Sequence, residues 1–207
     1  MSACGIRNKT PDVTTVASNI RTTGPDGNVI WYKMFEEQNL NYIEDDDIGY
    51  SIKSGVNEHG TAISFAGLVN ADQIDPPTAT GTATYSGYST AVSVSYPDVF
   101  INLLTLGQTE GAFQRRDHSS SVSITANLDD GTFTGENGTG GAKAFRHRFD
   151  GTFQNGVITG QGKINYGTLQ DLDSRLKGRI GDERAVLVFN AVSVSTGISG
   201  GMNLTRD

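Results

Sequence analysis

Few residues of this chain have types and spacing suited to chemistry, and the histidines come first among them. His147 lies in the stretch AFRHRFDG, where arginines precede and follow it and where it shares a parity with Phe145 and Phe149. Because side chains two apart on a strand point to the same face, the pattern predicts His147 on an apolar face between Phe145 and Phe149. Two hypotheses follow. His147 is a hydrogen-bonded core histidine, or it contacts a bound ligand together with the two phenylalanines.

The remaining metal-ligand candidates lack the spacing that a site requires. His59 and His118 have no second histidine or cysteine at the short intervals typical of zinc sites. The acidic run Glu44–Asp47 lacks the alternation of carboxylates and glycine that presents successive oxygens to one calcium ion. The sequence therefore predicts no metal site and no cofactor.

Motifs of enzymatic chemistry are also missing from the sequence. It contains no Gly-x-Ser-x-Gly elbow, no Walker loop and no zincin helix. An enzyme would need carboxylates such as Glu136, Asp150 and Asp173 to converge in a cleft with shifted pKa values. The sequence thus predicts a protein that is not an enzyme.

Composition indicates an all-β protein. The chain has 207 residues, of which 26 are glycine, and β-branched and aromatic residues recur at short intervals between glycine-containing turns. The formal net charge is −7, and residues 1–78 contain 11 acidic against 5 basic side chains. An acidic first part and a nearly neutral remainder argue against a nucleic-acid partner, because a nucleic-acid binder needs a strongly basic surface.

The stretch Asp75-Pro76-Pro77-Thr78 divides the chain, because two successive prolines fit neither a helix interior nor a central strand. Residues 11–78 are expected to form a small acidic module with an antiparallel sheet of three or four strands, one of them around Val29–Phe35. Residues 79–207 hold seven to nine short strands. A sheet of that size usually removes its edges by closing, so we predict an antiparallel eight-stranded up-and-down β-barrel.

Turn chemistry predicts the hairpins of this barrel. The stretch 121–135 is the strongest, with Asp129-Asp130-Gly131 at its turn. Asp150-Gly151 and Asn155-Gly156 are two further turn dipeptides. A shift in apolar parity near Ala91-Val92 predicts a β-bulge. The apolar segment 98–106 is too short for its periodicity to distinguish helix from strand.

Four stretches of the chain resemble segments of a known family. GTATYSG (81–87), ITANLDDGTFTG (124–135), LKGRIGDERAVLVF (176–189) and SGGM (199–202) are similar to segments of the C-terminal barrel of transferrin-binding protein B-like bacterial surface lipoproteins, and compact solute-binding versions match the spacing best. The resemblance covers residues 79–207. It implies a non-catalytic binder of a solute, with haem as one possibility, or of a partner protein.

Cys4 is the sole cysteine, and it lies in SACG (residues 2–5). This stretch resembles the end of a bacterial lipobox, whose cysteine is lipidated after the signal peptide is removed. The resemblance implies lipidation at Cys4, a tether over residues 1–10, and a location at the outer membrane, on its periplasmic face or at the cell surface. The alternative is an incidental free thiol.

Two hypotheses on function therefore remain open. In the first, a lipid-anchored envelope protein binds a solute or a partner protein. In the second, the barrel is solid, and the protein is a structural or interaction component of an envelope or surface assembly. An open apolar lumen with His147 in its wall would favour a small ligand, whereas a filled interior would favour the second hypothesis.

Overall fold

The computed structural model describes residues 39–43, 47–56, 62–95, 114–138, 145–166, 169–193 and 196–207. These residues form eleven β-strands and one short 3-10 turn, Ala71–Gln73. In the part of the chain described, no helix is long and apolar enough to cross a membrane. The strands are β1 Asn39–Ile43, β2 Gly49–Val56, β3 Ala62–Val69, β4 Thr82–Ser95, β5 Gln114–Asn127, β6 Thr132–Gly138, β7 Phe145–Gln154, β8 Val157–Tyr166, β9 Leu169–Ile180, β10 Arg184–Val192 and β11 Thr196–Arg206.

Strands β4 to β11 form a closed antiparallel barrel in which each strand pairs with the next along the chain. Pairing of β11 with β4 closes the circle, from Thr196 opposite Ser95 to Arg206 opposite Tyr85. Closure leaves no free edge, because every strand has two hydrogen-bonded neighbours. The prediction of an eight-stranded up-and-down barrel is confirmed.

The first three strands form a separate antiparallel sheet in the order β1-β2-β3. Its buried face packs on the outside of the barrel at β4, β10 and β11, where apolar residues of both sheets form one cluster. The members are Ile48, Tyr50, Ile52, Ala66, Leu68, Ala71, Ile74, Val92, Val94, Val186 and Val188. The small N-terminal sheet predicted from the sequence is therefore present, and it covers one sector of the barrel wall.

The predicted bulge in β4 is wrong. The pairing of β4 with β5 is continuous from Thr82 opposite Asn127 to Ser95 opposite Gln114. The parity changes because β4 has two buried faces along its second half: Ala91 faces the lumen, while Val92 and Val94 face the small sheet. An apolar run without alternation is typical of a strand covered on both sides.

The predicted turn at Asp150-Gly151 is also wrong, since both residues lie inside β7. A Cβ on Gly151 would lie 2.7 Å from a ring atom of Phe133, so this glycine makes room for an aromatic side chain of the lumen. The Asn155-Gly156 turn is confirmed. Both residues have positive φ angles, 50° and 74°, as a two-residue turn between β7 and β8 requires.

The proline-containing stretch is fixed to one end of the barrel. Asp182, in the β9–β10 connection, accepts hydrogen bonds from the backbone N–H groups of Thr78 and Ala79 and from the Thr78 hydroxyl. The strands of the small sheet precede this stretch and those of the barrel follow it. The proposed domain limits stay a prediction, and the segments Val29–Phe35 and 98–106 lie outside the described residues.

Candidate functional site

Strand β7 places the predicted site residues on the inner face of the barrel. Burial alternates along the strand, so that Phe145, His147 and Phe149 are buried while Arg146 and Arg148 are exposed. The face predicted for His147 from its parity is thus the observed one. The structure brings the three residues together with Phe189 of β10 in the lumen.

His147 is held by two aromatic rings and by two polar residues. Its ring centroid lies 4.4 Å from that of Phe189 and 4.9 Å from that of Phe149. Its Nε2 is 2.8 Å from the hydroxyl of Ser174, and its backbone N–H donates to Oδ1 of Asn137 over 2.9 Å. Nδ1 is buried and has no hydrogen-bond partner among the described residues.

Burial determines the protonation state of this histidine. The side chain is fully inaccessible to solvent, and desolvation lowers its pKa to about 3. A charged imidazolium in an apolar lumen would lose its hydration without a compensating carboxylate. His147 is therefore neutral at physiological pH, with one ring nitrogen left as an unused polar atom.

A second histidine, whose place in the lumen the sequence pattern was not used to predict, also lies inside the barrel. His118 lies on β5, with Nε2 2.9 Å from the hydroxyl of Ser93 and its ring stacked on Phe145 at 4.9 Å. Burial and, to a smaller extent, the charge of Arg116 lower the pKa of His118. Its parity with Val122 and Ile124 is the sequence signal that could have located it.

Side chains fill the lumen around these histidines. The inner cluster contains Tyr85, Phe133, Phe153 and Leu187 besides the residues already named, each of them at most 9% exposed. The buried lumen polar groups pair with one another, as Asn137 does when its amide donates to Ser89 over 2.9 Å. Among the described residues, the interior is therefore a packed core that contains hydrogen-bonded polar groups beside the unpartnered Nδ1 of His147, and not an open ligand chamber.

The outer surface of β5 to β9, in contrast, carries an open groove. It has a volume of about 890 Å³ and is lined by hydroxyl groups of Ser123, Thr125 and Thr134 and by charged side chains. Glu136, Asp150 and Asp173, the carboxylates considered for an enzyme, all line it. The barrel thus does bring them to one concave surface.

Ion pairs neutralise two of these three carboxylates. Arg146 and Arg148 contact the two oxygens of Glu136 at 2.6 and 3.2 Å, and Lys163 pairs with Asp173. Desolvation raises the pKa of Glu136, but the hydrogen bond and charge of Arg146, helped by Arg148, outweigh it, so the pKa is lowered. A general acid needs a raised pKa, which this arrangement does not supply.

The remaining candidates from the sequence stay predictions. Cys4, His59 and the residues 44–46 of the acidic run lie outside the described residues. Among the residues that the structure does describe, no group of three or more His, Cys, Asp or Glu side chains could hold a metal ion.

Comparison with known proteins rests on the fold. No protein-family model matches the sequence, and no curated protein matches it significantly. The isotype 1 transferrin-binding protein B of serogroup B Neisseria meningitidis aligns with a TM-score of 0.51 and 10% identity over 89% of this chain. The chain has a transferrin-binding protein B-like barrel fold. It spans only 36% of that Neisseria protein.

Two further solved structures are similar. A point mutant of the vaccine antigen transferrin-binding protein B from Haemophilus parasuis Hp5 aligns with a TM-score of 0.47 and 10% identity, over 87% of this chain and 39% of that one. The apo haemoglobin receptor HpuA from Kingella denitrificans aligns with a TM-score of 0.44 and 11% identity, over 89% and 76%. At these identities the resemblance concerns the fold alone.

Proposed function

We propose that this protein is a non-catalytic binding protein located in the bacterial envelope. It holds a partner protein on the outside of its barrel. One observation carries the proposal: the lumen is a packed core, so the surfaces left for binding lie outside it. An eight-stranded barrel either fills its interior or holds one small ligand, and this one fills it. The groove on β5 to β9 is a concave surface of this kind.

The fold supports a protein as the partner. The Neisseria protein with this barrel fold is named for binding transferrin. We transfer only the kind of partner, a protein, because the shared identity is 10% and this chain covers about a third of that structure.

Lipidation of Cys4 completes the proposal. The SACG stretch resembles a lipobox, and acyl chains on Cys4 would hold the protein at the outer membrane, facing the periplasm or the exterior. The packed lumen also fits the alternative, a structural or interaction component of an envelope or surface assembly with a solid barrel, which would likewise use the outer surface.

A second candidate function is binding of a small ligand, haem included, at His147, Phe145 and Phe149. The observation in its favour is the buried Nδ1 of His147, which has no hydrogen-bond partner among the described residues. Such a ligand would have to displace a packed ring such as Phe149 or Phe189, which lie within 5 Å of the imidazole centroid.

Native mass spectrometry of the lipidated protein from its own envelope tests both candidates. We expect an added mass that is lost on cleavage at Cys4, a saturable complex with a protein, and no bound small molecule. The complex should survive in His147→Gln and weaken in Arg148→Glu, which reverses a charge in the groove. A small molecule that is retained by the wild type and lost in His147→Gln would establish the second candidate instead. An unmodified Cys4 would refute the anchor, and a protein that captures no partner would refute the binder.

A further inference from the structure

Strand β9 carries a row of three cations on its outer face. Arg175, Lys177 and Arg179 alternate with residues that face the lumen, such as Leu176 and Ile180. Alternate residues of a strand are about 6.6 Å apart, so the three charges form a straight, evenly spaced stripe. We call these three residues the β9 stripe.

Within the described residues, the stripe cations take no part in the ion pairs that neutralise their neighbours. Glu136 pairs with the arginines of β7, and Asp173 pairs with Lys163. Among the described residues, no carboxylate lies within 4 Å of the stripe cations, in a protein whose net charge is −7.

The strands on either side contribute neutral residues to the stripe. On β8 the register places Gln161, Thr159 and Val157 opposite the three cations. On β10 it places Asn190, Val188 and Val186 there. The positive charge of the stripe is thus uncompensated across both of its neighbouring strands.

A cleft with an apolar wall runs beside the stripe. It has a volume of about 300 Å³ and lies between the 3-10 turn that follows the small sheet and the outer surface of β8 and β9. One side of the cleft is lined by Leu68 and Ala71 and by the acidic Asp72. The other side is lined by Val157, Lys177 and Arg179. Val157 is 47% exposed, which sets it apart from the other large aliphatic residues whose burial the structure describes.

The cleft is in part pre-organised. The Arg179 guanidinium donates to the carbonyl of Asn155 over 3.2 Å, which fixes it to the β7–β8 turn. Arg175, at the other end of the stripe, lines the large groove on β5 to β9. The stripe therefore joins the small cleft to the large groove.

We propose that the β9 stripe and its cleft bind an extended acidic segment of the partner protein. Acidic side chains at alternate positions of such a segment have the same repeat as the three cations, and an apolar residue beside them would enter the cleft against Val157 and Leu68. Charge complementarity indicates a negatively charged segment, because a basic segment would meet three like charges. The inference rests on the proposed function, because it names the chemistry of the protein bound outside the barrel.

A fluorescent peptide tests the proposal directly on the full-length protein. The probe is an extended peptide with glutamate at every second position and one leucine, and its control has glutamine in place of each glutamate. Each exposed ion pair contributes about twofold in affinity, so we expect the triple variant Arg175→Gln, Lys177→Gln, Arg179→Gln to bind the acidic peptide about tenfold more weakly. Arg146→Gln, which also removes an exposed arginine charge but lies outside the stripe, should change binding by less than about twofold.

Several results would overturn this inference. Equal binding of the glutamate and glutamine peptides, equal binding by the triple variant, or no binding of the acidic peptide by the wild type would each do so. Stripe-dependent binding to phosphatidylglycerol vesicles, with none of the peptide, would assign the stripe to a lipid surface instead. If the wild type and the triple variant capture the native partner equally, the inference fails while the proposed function stands. If the wild type captures no partner, the proposed function itself fails.

Discussion

The buried histidine makes the stability of the barrel depend on pH in a defined direction. His147 is neutral in the folded protein because its pKa is lowered to about 3, whereas an unfolded chain gives histidine a pKa of about 6.5. Below that value the unfolded state binds a proton that the folded state does not. The free energy of unfolding therefore falls as the pH falls, between about pH 6.5 and pH 3.

The size of the effect follows from the same two values. Each pH unit below the unfolded pKa lowers the free energy of unfolding by about 1.4 kcal/mol, so His147 alone accounts for about 5 kcal/mol at pH 3 and about 2 kcal/mol at pH 5. A loss of about 2 kcal/mol is a sizeable part of the stability of an ordinary domain. It should be measurable before most carboxylates titrate.

Urea unfolding of the wild type and of His147→Gln at about pH 7.5 and about pH 5 measures this term. Glutamine keeps a group that can hydrogen-bond to Ser174 but does not titrate. The wild type should lose about 2 kcal/mol more than the variant between the two pH values. His118→Gln is the matched control, and its effect should be smaller because His118 is only half-buried. If the wild type and His147→Gln lose the same free energy of unfolding between the two pH values, His147 is not a buried neutral side chain. The description of the lumen as a packed core would then be wrong.

Three further predictions concern the contacts that shape the barrel. Gly201→Ala should lower the free energy of unfolding by about 1–3 kcal/mol, because its Cβ would lie 2.2 Å from the Tyr50 ring. In a double-mutant cycle with Tyr50→Ala, the double variant should lose less free energy than the sum of the two single variants. Asp182→Asn should lower the free energy of unfolding at neutral pH, because hydrogen bonds from Thr78 and Ala79 lower the pKa of Asp182. The difference from the wild type should vanish as the pH falls below that pKa. A difference that stays constant with pH would contradict this prediction. Asn155→Val should lower the melting temperature and Asn155→Gly should not, because φ is 50° at this turn position and a β-branched residue avoids that region.

The sequence predicts much of the barrel because strand alternation is a local property. Val122, Ile124 and Ala126 alternate with exposed residues on β5, and their burial follows from that pattern. The same logic places His147 on the inner face. The Asn155-Gly156 turn is equally local, since its residue types suit the positive φ angles that the hairpin needs.

The tertiary structure decides what covers each face, and local patterns do not contain that information. The apolar run near Ala91-Val92 indicates a bulge by itself, but it reflects the small sheet packed on the outside of β4. Gly151 indicates a turn, yet it lies under Phe133, which comes from a neighbouring strand. His118 stacks on Phe145, which packs on Phe189, the ring that contacts His147, and these contacts form only because β5, β7 and β10 converge there. The alternation on β9 is visible in the sequence, but the strand register decides that neutral residues of β8 and β10 lie opposite its cations. Alternation is encoded within a strand, whereas burial and charge pairing arise between strands that are distant in the chain, and only the closed barrel brings those together.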